Sequence, residues 1–236
     1  QQVLFGPSTG APIWKSEFGY SLRLVALGVL LTLGLGIPLG ILSAVRPKAA
    51  VSRVIMVTMA LLTAIPNFVL GLLAIIVAAL WLKLIPVIPD WTIPTHWIIP
   101  AAVLAVVPMA SVARVTRAAV MNLLAEDFVR AARAKGLTEA RVMLVHVLRN
   151  SLAPIITFTG PALMEMFAGL VIVENLFGFP GIGKEYWLSV LELDYPMIMG
   201  VTLFFATGMV LTQLLVDILC ALLDPRLRST HLAGIE

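Results

Sequence analysis

The chain has 236 residues, of which 60% are apolar and only 12% are charged, and its mean hydropathy is +1.02. A soluble globular domain carries about 25% charged residues, so an ordinary soluble enzyme is excluded. The same composition excludes a disordered chain, and the single cysteine, Cys220, excludes a disulfide-stabilised scaffold. With a net charge of +3, the chain is not expected to bind nucleic acid unless its basic residues cluster.

Five long runs with few or no charged residues predict an all-α fold, a polytopic bundle of transmembrane helices. A helix rises about 1.5 Å per residue and the hydrocarbon core is about 30 Å thick, so about 20 residues cross it. The predicted spans A to E are residues 20–45, 54–82, 97–113, 151–173 and 196–216. Span B has 29 residues, so it must tilt, protrude or bend at Pro66.

The distribution of Lys and Arg predicts the orientation of the bundle, because cytoplasmic links are enriched in them. The A–B link, the C–D segment and the C-terminal tail hold 12 of the 16 basic residues. We therefore expect these regions and the C-terminus in the cytoplasm, and the N-terminus outside. Residues 1–19 carry no secretory signal, so we expect an external segment 1–19 after an absent span, a membrane domain 20–228 and a tail 229–236.

The predicted external links have their own composition. The D–E link is acidic, and its acidic residues are Glu174, Glu185, Glu192 and Asp194. Tryptophans at positions 81, 91 and 97 flank the B–C link, and this spacing is typical of an aromatic belt at the membrane interface.

Residues 122–150 form the predicted cytoplasmic segment between spans C and D. Leu124, Phe128 and Ala132 recur every four residues, which predicts a short amphipathic helix. Gly136 suits the left-handed position that ends a helix, and Thr138 suits the N-cap of the next helix. The second helix is expected to merge into span D. The segment is therefore predicted to be a helical hairpin.

Three interpretations of this hairpin differ in the partner that the hairpin contacts. A DNA-binding helix-turn-helix has a similar outline, but both ends of the hairpin run into membrane spans, so we expect no nucleic acid. A basic face could instead rest against anionic lipid headgroups. The third is a docking element, in which small residues admit a partner closely and basic residues meet its acidic groups. These residues are Ala131, Ala132, Ala134, Arg130, Arg133 and Lys135.

The sequence RAARAKGLTEARVMLVHVLRN in this hairpin resembles the EAA loop of ABC-importer membrane subunits. The generic EAA pattern has Glu where Arg130 stands. It closes with Ile-x-Leu-Pro, and of residues 146–149, which occupy these positions, only Leu148 agrees. The match is closer to the peptide- and nickel-importing permeases, where D-(F/Y)-V-R-x-A-R-A-K-G-L and H-x-L-R-N-x-x-x-P are usual. These motifs occupy residues 127–137 and 146–154, and similarity to the B-type permease also covers residues 65–71, 173–183 and 215–228.

The resemblance implies a type I-like ABC importer permease that moves di- or oligopeptides by alternating access. It also implies six spans, a second, C-type permease, two ATPase subunits that hold ATP and Mg, and an external solute-binding protein. Import of nickel or another small solute is the alternative within the family, and a stand-alone secondary transporter or channel is the alternative outside it. The implied ATPase-coupling residues are Asp127, Phe128, Arg130, Ala131, Ala132, Arg133, Lys135, Gly136 and Leu137.

Neither a nucleotide site nor a metal site is predicted in this chain. Residues 178–184 copy most of a phosphate-binding loop, but Glu185 replaces the Ser or Thr that would hold Mg²⁺. We therefore expect this run to be a structured turn. His96, His146 and His231 are scattered, with no partner at ligand spacing. The chain is accordingly predicted to bind no cofactor and to be no enzyme by itself.

Polar residues within the spans mark a candidate translocation path, because they are costly there and rarely idle. The candidates are Asn67, Thr157, Glu165, Gln213 and Asp217. For Glu165 two roles stay open, lining the path for a cationic group or an interhelical hydrogen bond. For Asp217 the expectation is packing or a gate rather than substrate contact. Gly34, Gly36 and Gly40 are expected to let span A approach a neighbouring helix closely.

Overall fold

A computed structural model describes residues 16–86 and 89–223, and within these ranges every regular element is a helix. The predicted all-α fold is confirmed. The helices are α1 Glu17–Val45, α2 Ala50–Ala64, α3 Asn67–Trp81, α4 Ile98–Leu124, α5 Asp127–Ala134, α6 Glu139–Leu176, α7 Ile182–Glu192 and α8 Tyr195–Leu223. Most of the predicted external segment 1–19 and the whole tail 229–236 lie outside the described residues, so these domain boundaries stay predictions.

Among the described residues, four helices are long and apolar enough to cross a membrane, namely α1, α4 with the turn before it (Pro94–Leu124), α6 and α8. They contain the predicted spans A, C, D and E, which are thereby confirmed as helices of spanning length. The helix around span C has 31 residues rather than the predicted 17. The difference arises because Arg114 and Arg117 end the uncharged run without ending the helix.

Span B is broken at Pro66, one of the three solutions that its length allows. Proline lacks an N–H and disfavours a helical conformation of the residue before it. Ile65 is accordingly extended, with φ −92° and ψ 126°. Pro66 then begins the next helix, where its carbonyl accepts the N–H groups of Val69 and Leu70. The result is two helices, α2 and α3, that meet at an angle of 103°.

The closest helix pair is α1 and α4, which run in parallel over small residues. A Cβ atom added at Gly36 would lie 3.0 Å from the Met109 carbonyl oxygen, and one at Gly40 would lie 2.6 Å from the Ala113 carbonyl oxygen. The prediction of close approach is confirmed for these two glycines. It is wrong for Gly34, which is exposed and has nothing within 4 Å of a Cβ position.

The helix directions gather the links at two ends of the bundle. α8 runs antiparallel to α6, since Thr157 meets Cys220 while Gly208 meets Phe167. We call "the basic end" the end where α1 stops at Val45, α4 stops at Leu124 and α6 starts. The end where α6 stops and α7 lies is called "the opposite end". Segment 122–150 belongs to the basic end.

Candidate functional site

Helix α5 is fixed to the basic end by one narrow apolar face. Val129 is completely buried and Ala132 nearly so, in a cluster with Ala44 of α1, Val120 of α4 and Val142 of α6. Burial of these side chains replaces water by close packing against three long helices. The ends of α1, α4 and α6 therefore determine the position of α5.

The remaining surface of α5 faces outward and carries most of the predicted coupling residues. The exposed ones are Asp127, Phe128, Arg130, Ala131, Arg133, Lys135 and Gly136. Two expectations are corrected here. Phe128 is not part of the packed face, since 38% of it is exposed, and Ala132 packs against its own bundle instead of facing outward. The packed face is instead made by Val129 and Ala132, three residues apart.

The turn after α5 has the predicted conformation. Gly136 has φ +78°, its N–H donates to the Arg133 carbonyl, and the Leu137 N–H donates to the Ala132 carbonyl. These two bonds form a Schellman motif, which ends a helix with a left-handed residue. Leu137 packs into the cluster under α5. Thr138 occupies the N-cap of α6 in an extended conformation, and α6 continues without a break into the membrane, so the predicted hairpin is confirmed.

Replacing Gly136 by valine is expected to loosen this turn, because a left-handed conformation costs about 1–2 kcal/mol for a residue with a Cβ. Trypsin should then cleave the detergent-purified chain, freed of other subunits, faster after Arg133 and Lys135, which flank the turn. Gly136→Asn is the matched control, since asparagine tolerates this conformation. Equal cleavage rates for the two variants would show that the left-handed residue does not hold the turn.

Two ion pairs order the charges on the outward surface of α5. Asp127 and Arg130 lie 3.3 Å apart on one helix face. The Arg133 guanidinium donates to both carboxylate oxygens of Glu139, at 2.7 and 3.1 Å, and this contact raises the pKa of Arg133. Both pairs are exposed and add little stability.

Three of the five candidate path residues lie where α6 packs against α8. The Thr157 hydroxyl bonds to the Ala153 carbonyl and lies 3.3 Å from Cys220 Sγ. Gln213 donates to Asp217 at 2.8 Å on α8. The side-chain oxygen Oε1 of Gln213 lies 3.0 Å from the position that a Cβ atom would take at Gly160. Thr157, Gln213 and Asp217 are thus brought to one helix pair.

The other two candidates lie elsewhere. Glu165 is exposed on α6, on the same face as Thr157 and Pro161, as their spacing of four residues predicts. Asn67, at the start of α3, approaches Gly169 of α6, which is about 13 Å along the helix axis from Gly160. Among the described residues its buried Oδ1 atom has no hydrogen-bond partner. The structure therefore spreads the candidates along α6 rather than gathering them in one pocket.

A buried carboxyl group at the opposite end was misjudged from the sequence. Glu174 was expected in an external acidic link, but it is fully buried in the last turns of α6. Its Oε1 accepts the Ser21 hydroxyl at 2.5 Å, and its Oε2 accepts the N–H groups of Gly183 at 2.7 Å and Lys184 at 3.3 Å. The Ile182 N–H donates to Ser21 Oγ at 2.9 Å. We call these five residues the Glu174 network.

The two glycines beside this carboxyl group leave no room for a Cβ atom. A Cβ atom at Gly181 would overlap the Glu174 carboxyl, and one at Gly183 would lie 2.8 Å from Val171 Cα. The glycine-rich run that copies a phosphate-binding loop is thus the turn that encloses Glu174, and the expectation of a structured turn is met. In residues 16–86 and 89–223 no three His, Cys, Asp or Glu side chains could hold a metal ion.

An aromatic cluster joins the B–C link to the turn that encloses Glu174. Phe179 is completely buried, with its ring centroid 4.4 Å from that of Trp91 and 4.8 Å from that of Trp97. The Arg23 guanidinium lies 4.6 Å from the Tyr20 ring and 4.8 Å from the Trp97 ring. Because Trp97 is only 5% exposed, it does not belong to a lipid-facing belt, and that expectation is wrong for it.

Sequence comparison connects this architecture with known membrane proteins. Residues 36–229 match the family model "Binding-protein-dependent transport system inner membrane component". The chain is 36% identical to the dipeptide transport system permease protein DppB of Bacillus subtilis, over 95% of this chain and 74% of that protein. It is 39% identical to the oligopeptide transport system permease protein AppB of the same organism, over 88% of this chain and 68% of the relative.

Solved structures with the same fold are membrane transporters. The MetNI methionine ABC transporter in an inward-facing conformation superposes with a TM-score of 0.70, covering 87% of this chain and 94% of the matched chain at 16% identity. An amino acid ABC transporter gives a TM-score of 0.62, with 86% and 90% covered at 17% identity. At such low identity these matches establish the fold alone.

Proposed function

Since this chain belongs to the family of binding-protein-dependent transport system inner membrane components, we propose that it is one permease subunit of an ATP-driven peptide importer. Relatives named as dipeptide or oligopeptide permeases support peptides as the cargo. In this proposal the basic end faces the cytoplasm of a cell whose inner membrane holds the bundle, and the C-terminus is cytoplasmic. Half of the translocation path belongs to this chain and half to a second, C-type permease.

The outward surface of α5 is the observation that carries the proposal. It offers small, aromatic and basic side chains on a helix that is anchored to three long helices. An ATPase subunit that grips this surface would move the ends of α1, α4 and α6 together. Two such ATPases would hold ATP and Mg²⁺, and this chain would bind neither and catalyse no reaction. An external solute-binding protein would deliver the peptide at the opposite end.

Alternating access is the mechanism that fits this arrangement. ATP binding would draw the two ATPases together, and α5 would transmit their approach into α6, which is continuous from the basic end to the opposite end. The exposed face of α6 with Thr157, Pro161 and Glu165 would line the path between the two permeases. Glu165 would attract the amino group of a peptide, since a carboxylate favours a nearby cation.

Uptake by a reconstituted complex tests the function. The chain is purified in mild detergent with its associated subunits and placed in liposomes with ATP and the solute-binding protein. ATP-dependent accumulation of a labelled dipeptide is the expected result. Nickel uptake without peptide uptake would overturn the peptide assignment. Peptide flux through the isolated chain without ATPases would instead identify a secondary transporter or channel.

The path assignment predicts that water reaches Glu165. In a Cys220→Ser background, Glu165→Cys in the assembled complex is expected to react with a membrane-impermeant thiol reagent, and added peptide should slow the reaction. Ala162→Cys is the control on the same helix, since Ala162 is only 3% exposed. If Glu165→Cys is as unreactive as Ala162→Cys in every nucleotide state, Glu165 faces lipid or protein and does not line the path.

A further inference from the structure

The Glu174 network joins three helices at the opposite end. Ser21 belongs to the first turns of α1, Glu174 to the last turns of α6, and residues 182–184 to the start of α7. Both oxygens of the Glu174 carboxyl are used, and so is the Ser21 hydroxyl as both donor and acceptor. α1 therefore cannot separate from α6 or α7 without breaking bonds inside the network.

Helix α7 depends on this network for its first turn. The first N–H groups of a helix have no partners within the helix and need acceptors from elsewhere. The N-cap of α7 is Gly181, which has no side chain to cap the helix. Three of these N–H groups, on residues 182, 183 and 184, are instead satisfied by Ser21 and Glu174. Two neighbouring helices thus determine where α7 begins.

Helix α6 connects the network with the basic end. It runs for 38 residues, about 57 Å, from Glu139 beside α5 to Leu176 beside the network. Its first residue is held by Arg133 of α5, and its last turns carry Glu174. A displacement of α5 is therefore applied to one end of the helix whose other end positions α7.

We propose that Glu174 is a positioning residue for transport: it makes the outer ends of α1, α6 and α7 move as one unit, so that a displacement at α5 reaches α7. This inference rests on the proposed function and adds a site 47 residues along the chain from Asp127. α7 is suited to such a role because it presents Trp187 and Leu191 outward, at 44% and 64% exposure, and Leu193 just after its end is 65% exposed.

The test compares Glu174→Gln with the unsubstituted chain in the reconstituted complex. Glutamine is isosteric, but one of its two terminal atoms is an amide nitrogen, so either the N–H donors of Gly183 and Lys184 or the O–H donor of Ser21 loses its acceptor. We expect ATP hydrolysis per complex to stay within about twofold and peptide uptake per ATP to fall about tenfold or more, because buried donors lose their acceptor. Ser21→Ala should lower the same ratio by about threefold, since it removes a single hydroxyl. Glu192→Gln, an exposed acid of α7, is the matched control and should leave the ratio unchanged.

A distance measurement separates positioning from simple loss of structure. Spin labels at Leu22→Cys on α1 and Leu191→Cys on α7, both exposed sites, are placed in a Cys220→Ser background. The unsubstituted network should give one narrow distance distribution that is the same in every nucleotide state, because α1 and α7 move as one unit, and Glu174→Gln should give a broad one. Equal distributions, or an unchanged ratio of uptake to hydrolysis, would overturn the inference. Failure of the unsubstituted complex to take up peptide would overturn the proposed function instead.

Discussion

Gly40→Leu is expected to abolish assembly of the folded bundle. A Cβ atom at this position would lie 2.6 Å from both the Ala113 carbonyl oxygen and Thr116 Cβ, so α1 and α4 would have to separate. Overpacking of a tight core costs about 1–3 kcal/mol per site, and here rigid backbone is the obstacle. We expect the yield of the detergent-purified complex to fall below about a tenth, since 1.4 kcal/mol is already a factor of ten in an equilibrium.

Gly34→Leu is the matched control on the same helix. Gly34 is exposed, and nothing lies within 4 Å of its Cβ position. Yield and thermal unfolding temperature should therefore stay close to those of the unsubstituted complex. If the two leucine variants lose stability equally, helix propensity or contacts in the assembly decide the outcome, and the α1–α4 contact does not.

Ala131→Trp is expected to remove the ATPases from the complex while the bundle stays folded. Ala131 is exposed on the outward surface of α5, so an indole there is expected to block close approach of another subunit. Disrupting a well-packed residue at the centre of an interface costs about 2 kcal/mol or more, so the affinity of the ATPase for this chain should fall by about 30-fold or more. The measurement is the ratio of ATPase subunit to permease after purification, together with ATP-dependent uptake.

Two comparisons make this prediction specific. Ala118→Trp places the same bulk on an exposed site of α4 and should retain the ATPases. Ala132→Trp should instead destabilise the folded chain, because Ala132 is buried on the inner face of α5 and its replacement would lift α5 from the bundle. Full ATPase retention by Ala131→Trp would mean that the outward surface of α5 is not the docking surface.

The sequence was sufficient where local chemistry decides the structure. The long runs with few or no charged residues predicted the long helices, since a lipid-exposed helix needs only apolar composition along its length. Gly136 and Thr138 located the turn after α5, because a left-handed residue and an N-cap are properties of single positions. Span C was underestimated because a helix can continue past the membrane into water, and charge then marks the membrane boundary and not the helix end.

The sequence was insufficient where distant residues or helix phase decide the structure. The spacing of Leu124, Phe128 and Ala132 suggested one face, but α4 ends at Leu124 and α5 begins at Asp127, so these residues belong to two helices. Gly34 and Gly36 are two residues apart and so point to different sides of α1. Glu174 has its side-chain partner Ser21 at a separation of 153 residues, which no local pattern contains.

The break at Pro66 restricts what can surround that side of the bundle. An α2 helix that starts at the surface of a hydrocarbon layer about 30 Å thick and rises about 22 Å over its 15 residues places the extended backbone at Ile65 inside that layer. Backbone that leaves a helix at such depth is tolerated only against protein or in a hydrated chamber, because acyl chains offer no hydrogen bonds. Acyl chains are therefore kept away from the angle between α2 and α3.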